Sequence, residues 1–291
     1  MWIILAFLSA VFTALGTIFS KMGVSDRDAD CATGIRFSFI FAVTWVAAFF
    51  ECGRSFAPLL SITAHDWLFL VLSGLAMGAS WIFYFKALSI GDVTRVVPVD
   101  KLSIVIAMLL GFTLLREKVT WISILCIVMI GLGNNLMFPR RGEKLNGGRG
   151  WVIYAFTGAV GAAFMATLSK FCGDSFGPIT GTAIRTTICL PLAWLIPVMS
   201  GQIKEIRRFP KRSVWFTFIS GIATAASWVC FYAALADGPS SVVTPIEKLN
   251  MVICFVMSYF IFGERLSKKM TVAAVLITVG TVLNGLAAYF S

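Results

Sequence analysis

Acids and bases stand inside or close to long apolar runs of this 291-residue chain. The most specific arrangement is a proline, a spacer, an acid and a lysine: Pro98-Val99-Asp100-Lys101, and again Pro245-Ile246-Glu247-Lys248. An ionised side chain in hydrocarbon is costly, so each such residue is a functional candidate that needs a partner. The sequence supplies Lys21, Arg36, Arg95 and Lys101 around Asp100, and Lys170, Arg185 and Lys248 around Glu247. Positive charge exceeds the lone carboxylate in each group, which leaves capacity for a carboxylate or phosphate and favours an anionic or zwitterionic ligand. Asp100 and Glu247 are also candidates for a coupling proton, because an apolar site favours the neutral acid; the adjacent lysines oppose a large effect. The alternative for Lys21, Lys170 and Arg95 is that they snorkel to the headgroups and anchor their helices.

Aromatic surface recurs in the same way. Trp81, Tyr84 and Phe85 are matched by Trp228, Phe231 and Tyr232, so these rings either line a cavity and stack on a ligand or serve as packing and interface residues. Lys86 has Ala233 at the matching position, which makes it the asymmetric candidate for selecting a ligand. No catalytic group is expected. His65 is the only histidine, HExxH and GxSxG are missing, and the seven cysteines form no CxxC. Asp26–Asp30 has the acid spacing of a calcium loop, but Cys31 stands where the turn glycine belongs and Phe37 where the bidentate glutamate belongs. Neither a metal nor a cofactor is expected. The net charge of +10 sits between apolar spans, which points to topology and lipid headgroups rather than nucleic acid.

The elements that must position these residues follow from composition. The chain is 58% hydrophobic and 13% charged, and backbone polar groups in lipid must be satisfied within helices or a closed barrel. Runs such as Trp2–Met22 and Thr271–Phe290 have the length of spanning helices and lack strand alternation. Trp2–Ser20 lacks the basic start of a signal peptide and is expected to remain as a helix. Ten spans are expected, beginning near Trp2, Cys31, Trp67, Val93, Val119, Trp151, Pro178, Val214, Ser241 and Met270. The two halves align with each other. Ser20-Lys21, Ile35-Arg36 and Trp45 match Ser169-Lys170, Ile184-Arg185 and Trp194 at one offset, 149 (170 − 21), and Ser80-Trp81 matches Ser227-Trp228 at 147 (227 − 80). Phe83–Ser103 lies on Cys230–Asn250, Glu117 on Glu264 and Gly133 on Gly280. The expected fold is therefore an all-α integral membrane protein, its ten transmembrane helices forming two repeats of five: 1–138 and 151–291, with a basic linker at 139–150. An odd number of spans per repeat makes the two copies inverted, an arrangement common among secondary transporters.

The quoted segments carry a resemblance. Phe83–Leu88, Pro98–Leu102 and Arg116–Thr120, mirrored by Phe231–Leu235, Pro245–Leu249 and Glu264–Ser267, resemble the drug/metabolite transporter superfamily in its EamA-type branch. The resemblance covers nearly the whole chain and is loose about substrate. It implies a multi-pass transporter of small metabolites, working by alternating access around a central cavity, in a prokaryotic cytoplasmic membrane. The fifth helix of each repeat would have a peripheral role or pack a homodimer. On this reading Asp100 and Glu247 pair with their basic neighbours as two gates, one at each face. A flippase for a lipid-linked carrier and an exporter of cationic or drug-like compounds remain as alternatives. A channel fits two charged gates less well than alternating access does. For orientation, the later basic loops place both termini outside by the positive-inside rule, while the family resemblance places them in the cytoplasm.

Overall fold

The computed structural model describes residues 1–23, 29–55, 59–60, 62–114, 121–137, 150–172, 176–199, 210–237, 243, 246–247, 249–264 and 267–290. All regular structure among them is helical. The helices are α1 Trp2–Gly23, α2 Ala29–Glu51, α3 Ala64–Ile90, α4 Val93–Asp100, α5 Leu102–Leu114, α6 Trp121–Met137, α7 Gly150–Ser169, α8 Pro178–Met199, α9 Lys211–Asp237, α10 Asn250–Phe262 and α11 Lys268–Phe290. Among the described residues seven segments have the length and hydropathy to cross a membrane, and α6 and α10 are shorter apolar helices. Apolar side chains such as Phe50, Trp121, Ile153 and Phe260 are exposed along the outer faces, as lipid-facing residues are. The chain is a multi-pass membrane protein.

Of the ten expected spans, those near Val119 and Ser241 begin outside the described residues, and the one at Val93 is not continuous. The run beginning at Val93 is split into α4 and α5 at Lys101, three residues after Pro98. Proline's missing N–H and its ring act on the turn before it; after it, α4 closes with a turn in which Lys101 N–H reaches the Pro98 carbonyl at 3.0 Å. Asp100 and Lys101 are thereby delivered at a helix junction rather than on a continuous face.

Helices pair antiparallel across the two halves of the chain. On α2 and α8, Ser38 accepts from Trp194 Nε1 at 3.1 Å, the hydroxyls of Thr44 and Thr186 are 3.1 Å apart, and Glu51 accepts from the Thr180 amide at 2.6 Å, so one helix rises as the other falls. The remaining pairings are α1 with α9, α3 with α7 and α6 with α11. Contacts between the halves recur at repeat-related positions. Ser80 Oγ donates to the Gly158 carbonyl at 2.8 Å from α3 to α7, and Ser227 Oγ donates to the Ser9 carbonyl at 2.9 Å from α9 to α1. Gly133 sits against Ile277 and the Ala273 carbonyl, while Gly280 sits against Ile130 and the Cys126 carbonyl. Small residues at such crossings let backbones approach where lipid gives no hydrophobic drive for association.

Ser227 also meets the hydroxyls of Ser9 at 3.1 Å and Thr13 at 2.6 Å. Ser227→Ala is expected to cost about 1 kcal/mol, and Ser80→Ala about 0.6 kcal/mol, in line with interhelical hydrogen bonds in membranes. Thermal unfolding of the purified protein in detergent checks this. The two losses should add, since the sites share no partner.

Candidate functional site

Two clusters concentrate the polar chemistry. The first is at the junction of α1, α4 and α10. Gly263 ends α10 with φ +68°, a left-handed conformation that suits glycine, and its N–H returns to the Tyr259 carbonyl at 3.1 Å. That turn aims Glu264 back across the helix ends. Its Oε1 accepts from Lys21 Nζ at 3.0 Å and from the Val93 amide at 3.1 Å; Oε2 accepts from the Thr94 amide at 2.9 Å and Ser258 Oγ at 2.8 Å. The carboxylate therefore neutralises Lys21 and caps the positive end of α4. Lys21 gives a second hydrogen bond to the Gly91 carbonyl at 2.7 Å and lies 5.3 Å from the Phe262 ring centroid.

Burial alone would raise the Glu264 carboxyl, but Lys21, the Thr94 amide and the Ser258 hydroxyl together hold it below the ordinary glutamate value. A depressed acid contributes stability above its unfolded value and loses it as pH falls through its folded value. Unfolding temperature is expected to drop as the medium is acidified below about pH 4, the range in which unperturbed glutamates protonate. The drop should be shallower in Glu264→Gln, as a pH series of melting curves would show.

The second cluster surrounds Arg36. It lies about two turns inside α2, 2% exposed, with its guanidinium 4.0 Å from the Phe85 ring centroid and 5.7 Å from that of Trp81. Nη2 donates to Thr224 Oγ1 on α9. Trp81 stacks on Phe85 at 5.2 Å, meets Tyr84 edge-on at 5.8 Å and lies 6.2 Å from Trp228. Trp81, Tyr84, Phe85 and Trp228 thus form an aromatic group with one cation against it, built from α2 and α3 on one side and α9 on the other. Gly221 of α9 faces the Arg36 stem, where a Cβ would lie 3.6 Å from its Cγ.

The structure regroups the residues singled out in the sequence. Lys21 meets Glu264 instead of Asp100, because α1 ends beside the α10–α11 turn. Arg36 is directed to the aromatic group and Thr224. Asp100 has Lys101 at 3.8 Å, and Arg95 has Asp92 at 3.9 Å. In the other half, Arg185 donates to Ser73 Oγ at 2.9 Å and Glu247 accepts from Asn250 Nδ2 at 2.7 Å. Lys170 is exposed and Lys86 is half-buried with contacts of its own. Lys248 lies outside the described residues, as do Pro245 and Glu117, and for Tyr232 only the helical backbone is described. Glu264 is the residue that sequence reasoning passed over. Its signal was there, since it aligns with Glu117 just after the fourth span of each half. Thr224 had no such signal.

The EamA-like transporter family profile matches the chain twice, over residues 1–138 and 149–286. The chain belongs to the EamA-like transporter family. This EamA-like protein is 43% identical over 136 residues, covering 47% of the chain and 95% of the relative, to an uncharacterized transporter in the cobO 3′ region of a Sinorhizobium species. It is 27% identical over 225 residues, covering 74% of the chain and 70% of the relative, to the uncharacterized transporter YxxF of Bacillus subtilis. A solved crystal structure matches 99% of the chain and 98% of its own length with a TM-score of 0.59 at 17% identity, a likeness of fold. Family and relatives point to transport across a prokaryotic cell membrane rather than to an enzyme.

Proposed function

We propose that the chain is a secondary active transporter carrying a small polar metabolite, such as an amino acid, organic acid or phosphorylated solute, by alternating access. In this reading ten transmembrane helices form two inverted repeats, residues 1–138 and 151–291, joined by the basic linker 139–150. The observation that carries it is the tie made by Glu264, which comes from the second half and holds Lys21 and the α4 N-terminus of the first. A contact between halves at one face is what a rocking carrier must break to open that face. In the sequence the repeat-related positions of Lys21 and Glu264 are Lys170 and Glu117. Asp100 and Lys101, at the α4–α5 break, join the latch to the interior.

Cysteine accessibility tests the mechanism. With the native cysteines replaced, Trp228→Cys should react with an impermeant thiol reagent from one face in a protein locked by a Lys21→Cys/Glu264→Cys disulfide. Adding Glu264→Gln without the lock should shift reaction to the other face. Reaction from both faces at once would mean a channel. A coupling proton at Asp100 or Glu247 predicts loss of pH-driven uptake in Asp100→Asn and Glu247→Gln vesicles, and unchanged uptake removes it.

One observation favours the second reading, a flippase for a lipid-linked carrier. An apolar groove of about 720 Å³ lies between α10 and α11, lined by Phe255, Tyr259, Phe260 and Val275 among others. Movement of a labelled lipid, without movement of water-soluble solutes, in the same proteoliposomes would support it.

A further inference from the structure

We propose that Arg36 is the anion-binding residue of the central site and that the cargo is an organic monocarboxylate with an apolar, flat portion. The proposal rests on the transporter reading above and narrows its substrate. Arg36 is buried, yet its Nε and Nη1 have no hydrogen-bond acceptor, and among the described residues no carboxylate pairs with it. A buried guanidinium without a counter-charge is strongly unfavourable, so a membrane protein that keeps one needs an anion to meet it at some point in its cycle.

The repeat-related residue makes the contrast. Arg185 reaches across to the third helix of the opposite half, as Arg36 does, but its Nε is satisfied by Ser73. Of the two, Arg36 is the one with buried donors left idle and the one that lies on the aromatic group. Thr224 takes Nη2 and holds the plane of the fork, leaving further N–H groups for the oxygens of a carboxylate. Charge balance selects a single negative charge. Lys101 is already offset by Asp100 at 3.8 Å, so the local excess is the one positive charge of Arg36. A dianion would leave a buried negative charge. The surface beside the guanidinium is aromatic, Trp81 stacked on Phe85 and in contact with Trp228 at 6.2 Å, and suits an apolar or aromatic body.

Purified protein in detergent tests this with benzoate, 3-phenylpropionate, hexanoate and lactate as monocarboxylates. Benzamide, phenylphosphonate, benzylammonium and chloride serve as comparisons, with melting temperature and tryptophan fluorescence as readouts. At least one aromatic or apolar monocarboxylate should stabilise the protein and quench its fluorescence saturably, and benzamide should not. Arg36→Lys should weaken that binding about tenfold, because it keeps the charge and loses the fork. Arg36→Met should abolish it. Thr224→Val, which leaves Arg36 in place, should weaken it by a smaller factor and serves if Arg36→Met does not fold. Equal binding by Arg36→Met or by benzamide, saturation by chloride alone, or no response to any monocarboxylate would overturn the assignment. Flux separates the two readings. A carboxylate that binds through Arg36 but is never moved, in proteoliposomes that move no amino acid, organic acid or phosphorylated solute either, defeats the transporter reading and leaves the binding residue standing. Carboxylate flux that persists in Arg36→Met does the reverse. A carboxylate that is not moved while another solute is moved is overturned as cargo.

Discussion

Glu264→Gln is expected to raise the population open at the Lys21 face about 30-fold, with transport falling because the carrier then rests in one state. The size follows from the partners lost. Lys21 and Glu264 are 19% and 11% exposed, so the pair is shielded but not fully dry. Removing one partner of a fully buried pair costs about 3–5 kcal/mol, and the residual exposure brings this to about 2 kcal/mol. Each 1.4 kcal/mol is a factor of ten, which makes 2 kcal/mol about 30-fold. Glutamine keeps the shape and one acceptor oxygen, so the α4 amides stay partly capped and the fold should survive. Spin labels on α1 and α11 near the latch would report the change as a shift in their distance distribution. An unchanged distribution would show that the tie anchors helices without controlling opening. Lys21→Met should shift the distribution the same way, and Lys21→Met combined with Glu264→Gln should add little to either alone, since both remove one interaction.

The second large effect is expected at the α6–α11 crossing. A Cβ at Gly133 would stand 2.5 Å from Ile277 Cγ1 and 2.9 Å from the Ala273 carbonyl, and one at Gly280 would stand 2.9 Å from Ile130 Cγ1. Backbone cannot yield as a flexible side-chain end can. Gly133→Leu is therefore expected to force the two helices apart and cost about 3 kcal/mol, the upper part of the usual overpacking range. Gly131, two residues away on the same helix, has nothing within 4 Å of its Cβ position, and Gly131→Leu should be nearly neutral. Melting of the two variants by fluorescence-detected size exclusion gives the comparison directly. Equal melting temperatures would mean that the crossing does not hold α6 and α11 as described.

Hydropathy and self-alignment are local or register properties of a chain, so the helices and the family were readable from residues alone. Val93 as a helix start was readable for the same reason; the break at Lys101 was not, because the run from Val93 reads as one apolar span. Burial of an acid near a lysine was likewise foreseeable as a type of event, since hydrocarbon penalises an unpaired charge wherever it falls. The choice of partner was not. Lys21 and Glu264 are 243 positions apart, and Arg36 and Thr224 are 188 apart. Nothing in the spacing distinguishes those partners from Asp100, which is nearer in sequence and was the expected one.

What the sequence determined by itself is a helical membrane protein made of two aligned halves with charged residues at matched positions in the alignment. The tertiary structure decided which charges meet, since that depends on how helices of one half cross those of the other. The left-handed turn at Gly263 carries Glu264 onto α4 and takes Lys21 away from Asp100. The packing of α2 between α3 and α9 puts Arg36 over Phe85 with buried donors unfilled, while the Nε of its counterpart Arg185 donates to Ser73. Two arginines that are equivalent in the sequence differ in the fold because their immediate neighbours, not their positions along the helix, set what a buried charge must bind.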